Sequence, residues 1–429
     1  MWCLPAAACA LLAGCTRGAA SVTAGPAYTP EPVPETLPAA VPEPGPGVAS
    51  AGPVPPLFVA LQPDAATPSS SPPPSTDQPD TEPEPEPTVV TFAFSGDILP
   101  HSPLWDGAAR NAAASGTAGF DFDPMLAALS PLHDRADLAV CHLETPIAPV
   151  GEPFSTMPYY GVPAEIADAI AAAGFDRCST ASNHTFDRGV AGIERTITEL
   201  ERVGVAQDGM ARTITEVAPR VFDVDGVAIA HLSYTYSYNG IIPRPDDAWR
   251  SRLIDPDRIL SDAAEARRVG AELVILSLHW GAEGRSEPTD EQRRLADRLT
   301  ASGLVDLIVG HHAHVVQPIE QVNGVWVIYG MGNLLSNMPT GTFPPASQDG
   351  VVVSIAVHRD TAGRFTWLPP AATPTWVDRD DGWQIRILAD ELAGDALGPG
   401  RRSVLQASYD RTAAVVGEYV ATGSATGGN

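Results

Sequence analysis

The sequence predicts an α/β domain over Val89 to Trp376, and three observations predict it. Hydrophobic strand-like runs alternate with amphipathic helical stretches. A polar residue able to bind a metal recurs just where a hydrophobic run stops. Towards the C-terminus strand follows strand, which adds antiparallel pairing, so either one mixed sheet or two stacked sheets would accommodate the pattern.

The elements follow in order. Thr88 to Asp97 is β-rich and ends on Gly-Asp; Asp123 to Ser130 is a short helical stretch; Asp137 to Leu143 is a strand running into Glu144. Pro163 to Ala173 is amphipathic, and Phe175 to Thr180 leads into Ser182-Asn183-His184. The spacing of Ile193, Ile197 and Leu200 makes Gly189 to Val203 helical. Ile254 to Val269 is a further helix, followed by strand Leu273 to Leu278 and then His279. Helix Glu291 to Ser302 precedes strand Leu304 to Val309, after which comes Gly310-His311-His312-Ala313-His314. Val325 to Tyr329 and Val351 to Val357 are strands. Residues 377–429 form a C-terminal extension, with a helix over Ser403 to Tyr419 and a loose tail from Ala421.

Composition narrows the chemistry. All 26 basic residues are Arg, and without Lys neither Schiff-base catalysis nor a Walker-type phosphate loop is possible. A formal net charge of -26 disfavours nucleic acid as a partner. Residues 1–15 resemble a lipoprotein signal peptide: a short apolar run ends in Leu12-Ala13-Gly14-Cys15, a lipobox whose Cys15 would be lipidated. That anchor would hold the chain on the extracytoplasmic face of the cell membrane. Residues 16–88, rich in Pro and Glu, are expected to be a disordered tether.

Asp97, Glu144, Asn183, His279, His312 and His314 all stand at strand ends, and the carboxyl ends of strands in an α/β sheet share one rim. Two carboxylates, an amide oxygen and three imidazoles suit Mn, Fe, Zn or Mg. Six ligands suggest two divalent ions bridged by a carboxylate, Glu144 or Asp97. His184 stands where a general acid would serve a phosphoester.

Phe94-Ser95-Gly96-Asp97, Leu143-Glu144-Thr145-Pro146, Ser182-Asn183-His184-Thr185-Phe186-Asp187, His279-Trp280-Gly281-Ala282-Glu283, Gly310-His311-His312-Ala313-His314-Val315 and Tyr329-Gly330-Met331-Gly332-Asn333 occur in the order of the CapA family. This series resembles CapA capsule, or poly-γ-glutamate, synthesis proteins of the calcineurin-like metallophosphatase superfamily. The resemblance implies two stacked mixed β-sheets flanked by helices, the calcineurin-like metallophosphoesterase fold. It implies that Asp97 and His314 hold one metal, that Glu144 bridges, and that Asn183, His279 and His312 hold the second. His184 would face the substrate, while Glu283 and Asn333 would support ligands or meet the substrate. The sequence departs from the superfamily in two places, Asp97 lacking the usual Asp-x-His partner, with His101 the first histidine after it, and Glu144 replacing a common Asp; it departs from the CapA pattern in a third, where His142 replaces a common Asn.

The expected function is therefore that of a membrane-anchored, extracytoplasmic protein acting in synthesis, export or anchoring of a surface polymer such as poly-γ-glutamate. Its partners would be that anionic polymer or a phosphoester, and membrane subunits of a polymer synthetase. The alternatives are a non-catalytic assembly subunit and a general extracellular metal-dependent phosphoesterase. His101, His142 and His311 are expected to be hydrogen-bonded neighbours. Cys141 and Cys178 are expected to be free thiols on adjacent strands. Trp280 is expected to pack, and Tyr234, Tyr236 and Tyr238 to alternate on one strand face, lining a cleft or the core.

Overall fold

The computed structural model describes residues 87–339 and 341–421. The lipobox with Cys15, the tether up to residue 86 and the tail beyond Ala421 lie outside the described residues. The chain enters on β1 (Thr88–Leu99), then passes α1 (Ser102–Ser115), α2 (Asp123–Leu126) and α3 (Ser130–His133) before β2 (Leu138–Leu143). Helix α4 (Ile166–Ala172) leads to β3 (Arg177–Ser179), and α5 (Gly189–Arg202) to β4 (Ala206–Asp208). Hairpin strands β5 (Val221–Val224) and β6 (Val227–Thr235) open a second sheet, followed by α6 (Pro256–Arg268), β7 (Leu273–His279), α7 (Asp290–Thr300) and β8 (Leu307–His311). Strands β9 (Ile319–Val322) and β10 (Val325–Ile328) complete it. Then β11 (Asn333–Ser336), β12 (Asp349–Arg359), β13 (Phe365–Trp367), β14 (Ala371–Asp378) and β15 (Gln384–Ile387) return to the first sheet, before α8 (Leu388–Ala393) and α9 (Pro399–Val416).

The first sheet runs β15-β14-β12-β1-β2-β3-β4, with β11 alongside β1 and β13 alongside β12; the second runs β5-β6-β7-β8-β10-β9. Both are mixed: β1 to β4 are parallel while β12 is antiparallel to β1, and β6, β7, β8 and β10 are parallel while β5 and β9 are antiparallel.

Strand periodicity explains the layers. Leu138 and Val140 of β2 face Ile275 of β7 and Leu307 and Val309 of β8 across an apolar inter-sheet core. The alternate residues Ala139, Cys141 and Leu143 face outward against α1, α2 and α4. On the far side, Val274, Leu276 and Leu278 of β7 pack on α6 and α7 through Ile259, Ala263, Leu295 and Leu299. The result is two mixed sheets stacked face to face with helices outside each, as the sequence implies.

Details differ from expectation. The strand before the His cluster is Leu307–His311, later than Leu304 to Val309, its ladders to β7 and β10 both beginning at Leu307. Helix α1 and strands β4, β5, β9, β11, β13, β14 and β15 lie where no element is expected, and β6 ends at Thr235, before the end of the strand face expected to carry Tyr234, Tyr236 and Tyr238. Cys141 and Cys178 form a disulfide and are not free thiols. They are direct register partners on β2 and β3 with Cα atoms 4.4 Å apart, at the near limit of disulfide geometry.

Candidate metal centre

The inter-sheet faces end in histidines. Extending the period of two along β2, β7 and β8 puts His142, His279 and His311 on the face that carries Val140, Ile275 and Val309 below. Asp97 would point the wrong way if β1 were regular, since Phe94 faces inward. A bulge between Phe94 and Asp97 shifts the register and turns Asp97 inward, opposite His142. The close approach that makes this possible needs Gly96: a Cβ there would lie 2.3 Å from the Gly332 carbonyl oxygen. Asp97 donates its own N–H to that oxygen at 2.9 Å.

The Asp97 carboxylate is buried and fully engaged. His311 Nδ1 lies 3.0 Å from Oδ1; Oδ2 accepts the His312 N–H at 3.1 Å and lies 3.2 Å from His314 Nδ1. Burial pushes this carboxyl up, but the hydrogen bonds from His311 and His314 outweigh burial and hold it well below the usual range. To present these groups the loop after β8 adopts positive φ at His312 (87°) and His314 (54°), uncommon for a residue with a side chain. Burial pushes His314 down, yet the Glu144 charge and the Asp97 contact carry it up to about 10.

Glu144 is the opposite case. Its side chain is completely buried and neither carboxylate oxygen has a hydrogen-bond partner. Around Oε1 stand His314 Nε2 at 3.6 Å, His279 Nε2 at 3.9 Å and His184 Nε2 at 4.0 Å. Burial raises this carboxyl well above its ordinary value. Two buried carboxyl oxygens without donors, one of them with three imidazole nitrogens around it, are an arrangement a cation would satisfy.

A chain of hydrogen bonds fixes the imidazoles. Ser179 Oγ lies 2.8 Å from His142 Nδ1 and 3.4 Å from the Cys141 carbonyl oxygen, to which it can donate when His142 Nδ1 carries the proton. His142 Nε2 lies 2.9 Å from His279 Nδ1, and His279 Nε2 lies 2.9 Å from Asn183 Oδ1; with a metal on His279 Nε2 the chain runs from His279 Nδ1–H to His142 and from His142 Nδ1–H to Ser179, and without one it reverses, His279 Nε2–H donating to Asn183 Oδ1. Burial, followed by the neighbouring His312 and His142, pushes His279 well down, so it is neutral and able to ligate. His184 presents Nε2 to the centre because Asp187 Oδ2 takes Nδ1 at 2.7 Å. Asn333 Oδ1 meets His314 Nδ1 at 3.0 Å.

The structure brings the six expected ligands and His184 into one site. Among the described residues, potential ligand atoms lie within 4.8 Å of one another in the groups Asp97–Glu144–His314, His142–Glu144–His279, Glu283–His312–His314 and Asp97–His142–His311. Glu283 is exposed and reaches His312 and His314; Asn333 supports His314. His142 and His311 contribute more than expected. Each is two residues beyond an inward-facing valine, a periodicity that could have revealed them. His101, by contrast, stands aside, its Nδ1 2.8 Å from the Leu99 carbonyl oxygen and its Nε2 without a partner. Trp280 packs as expected, its Nε1 bonded to the Tyr329 carbonyl. The three tyrosines do not share a face: β6 ends at Thr235, leaving Tyr234 in the helix-side core, Tyr236 beside His312 and Tyr238 against Phe186.

A family model described as bacterial capsule synthesis protein PGA_cap matches residues 91–338. The chain belongs to this family. It is 30% identical over 228 residues to the PGA biosynthesis protein CapA of Bacillus subtilis, covering 52% of this chain and 58% of that protein. It is 30% identical over 175 residues to the capsule biosynthesis protein CapA of Bacillus anthracis, covering 40% of this chain and 42% of that one. The PGA_cap chain thus matches only about half the length of these relatives. Among solved structures it is similar to the NAD nucleotidase of Haemophilus influenzae, with TM-score 0.45 and 14% identity over 78% of this chain and 64% of that one. The calcineurin-like phosphoesterase YfkN of Bacillus subtilis gives TM-score 0.37 and 12% identity over 76% and 97%.

Proposed function

We propose that this PGA_cap protein is a metal-dependent, phosphoesterase-like protein of the cell envelope that acts in making, exporting or anchoring a surface polymer such as poly-γ-glutamate. The observation that carries the proposal is Glu144, completely buried with both oxygens unpartnered amid His184, His279 and His314. Asp97 and His314 would hold one divalent ion, Asn183, His279 and His312 a second, with Glu144 between them. Such ions would supply Lewis-acid polarisation of a phosphoryl group and of water. Asp187 holds His184 so that its Nε2 can give a proton to a departing oxygen. His142 holds the His279 tautomer, and Asn333 the His314 ring. Membrane anchorage through Cys15, an extracytoplasmic site and contact with polymer-synthetase subunits belong to the same proposal.

Metal analysis and titration calorimetry with Mn, Zn and Mg test it. Two equivalents of a divalent ion are expected, falling to one or none in Glu144→Gln and His279→Ala; unchanged binding in both would overturn the site. Turnover of phosphomonoesters or phosphodiesters with added Mn, lost in His184→Ala, separates an enzyme from a binding-only assembly subunit. The latter reading draws on Asp97, whose oxygens are already occupied by protein donors.

A further inference from the structure

A cavity of about 580 Å³ opens in the long connection between β6 and α6, walled by Tyr236, Tyr238, Ile241, Ile242, Trp249 and Leu253. It adjoins the metal centre. Thr235 pairs with His279, Tyr236 N–H donates to the His279 carbonyl at 3.0 Å, and the Tyr236 ring centroid lies 4.5 Å from that of His312. Tyr236 is thus a wall shared by the cavity and the centre.

The lining is apolar and open to solvent: Ile242 is 91% exposed, Leu253 48% and Tyr236 44%. Side chains of this kind gathered around a concavity stand to gain from an apolar occupant. The two arginines at the cavity do not make it an anion site. Arg258 Nε is bonded to Asp262, and Arg252 is bonded to the Val217 carbonyl and Tyr234 hydroxyl with Asp208 and Asp262 each 3.7 Å away. A chain of repeating carboxylates would lose hydration there without gaining a partner.

We propose that this cavity binds the uncharged, apolar portion of an amphipathic phosphoester whose phosphoryl group meets the metal centre across Tyr236. The inference rests on the phosphoesterase-like reading and names its substrate class. The polymer itself, if anionic, is then not the occupant of this cavity.

Calorimetry on the full chain loaded with Mn tests it, using inorganic phosphate, methyl-, butyl-, octyl- and phenylphosphonate, and octanol. Affinity is expected to rise about fourfold per added methylene until the cavity is filled. Octylphosphonate is expected to change Trp249 emission, and Leu253→Asp, at a partly exposed position, to flatten the series. Metal-dependent binding of phosphate and methylphosphonate with no gain along the series would overturn the cavity inference alone. Octanol binding as tightly as octylphosphonate, with phosphate and methylphosphonate bound normally, would likewise overturn it, since the cavity would then be separate from the centre. Absence of phosphate and all phosphonate binding, with metal present, would overturn the phosphoesterase-like reading and the cavity inference with it.

Discussion

The relay through His142 gives the sharpest prediction. For His279 Nε2 to hold a metal, the chain Ser179–His142–His279 must run with each Nδ1 donating and His142 Nε2 accepting from His279 Nδ1–H, which directs the His279 Nε2 lone pair at Asn183 and Glu144. Replacing His142 by Phe keeps a ring in a site that is fully enclosed, stacked 4.0 Å from His311, but removes the acceptor for His279 Nδ1–H. A buried donor without a partner costs about 1–3 kcal/mol, and a ligand can recover part of that only by turning away from the metal. The expected result is a 10–100-fold loss of metal affinity, the range for removing the support of a ligating imidazole and equivalent to about 1.4–2.7 kcal/mol. His142→Gln, whose amide can accept from His279, is expected to recover much of this loss. Titration with Co, following the visible ligand-field bands, reads affinity and geometry together, and a parallel melt verifies folding. A folded His142→Phe protein with parental affinity and unaltered bands would refute the relay.

Three further outcomes are expected. The Cys141–Cys178 bridge spans 37 residues, a loop for which chain-entropy loss is worth about 4 kcal/mol; urea denaturation with and without reductant should differ by that order, and coincident curves would contradict it. Arg411 grips the buried Asp349 with Nε and Nη2, each at 2.8 Å, and so fastens α9 to β12. Arg411→Met should destabilise by about 2–3 kcal/mol, less than for a fully buried pair because Arg411 is partly exposed, and an unchanged urea midpoint would count against the clasp. Burial, only partly offset by the Leu99 carbonyl, lowers His101 from 6.5 to about 4, so the unfolded chain takes up its proton first. His101 should therefore contribute no pH dependence above about 6.5 and a loss approaching 3 kcal/mol as pH falls towards 4; a parent and His101→Asn stability difference that stays constant between pH 7 and 5 would exclude this.

The sequence makes the rim of the site legible because strands stop on their functional residues: Asp97, Glu144, His279 and the His312/His314 pair each follow a hydrophobic run. It is less informative about which face a residue takes. Asp97 faces inward only because of a bulge set by the close contact of Gly96 and Gly332, a contact between segments more than 200 residues apart. Helix α1 escapes detection because its buried stripe, Leu104, Gly107, Ala108 and Ala112, is mostly small residues with little hydrophobic contrast. Strands β4 and β5 have three and four residues, too short for alternation to register. The disulfide depends on register between β2 and β3, which neither strand carries in its own pattern.

The two carboxylates of the site divide one task unequally, and this can be separated from metal binding. Asp97 is matched within the protein by His311, His314 and the His312 N–H, so Asp97→Asn removes the anion from a buried, satisfied cluster and should cost about 3–5 kcal/mol even in metal-free protein. Glu144 has no donor to lose and is pushed by burial towards its neutral form, so Glu144→Gln should leave metal-free stability within about 1 kcal/mol of the parent. Adding a divalent ion should then stabilise the parent according to its occupancy and Glu144→Gln hardly at all. Urea denaturation in chelator and again in excess Mn measures all four quantities. If Glu144→Gln loses as much as Asp97→Asn in chelator, Glu144 is a structural partner of His314, and its unpartnered oxygens no longer argue for a cation.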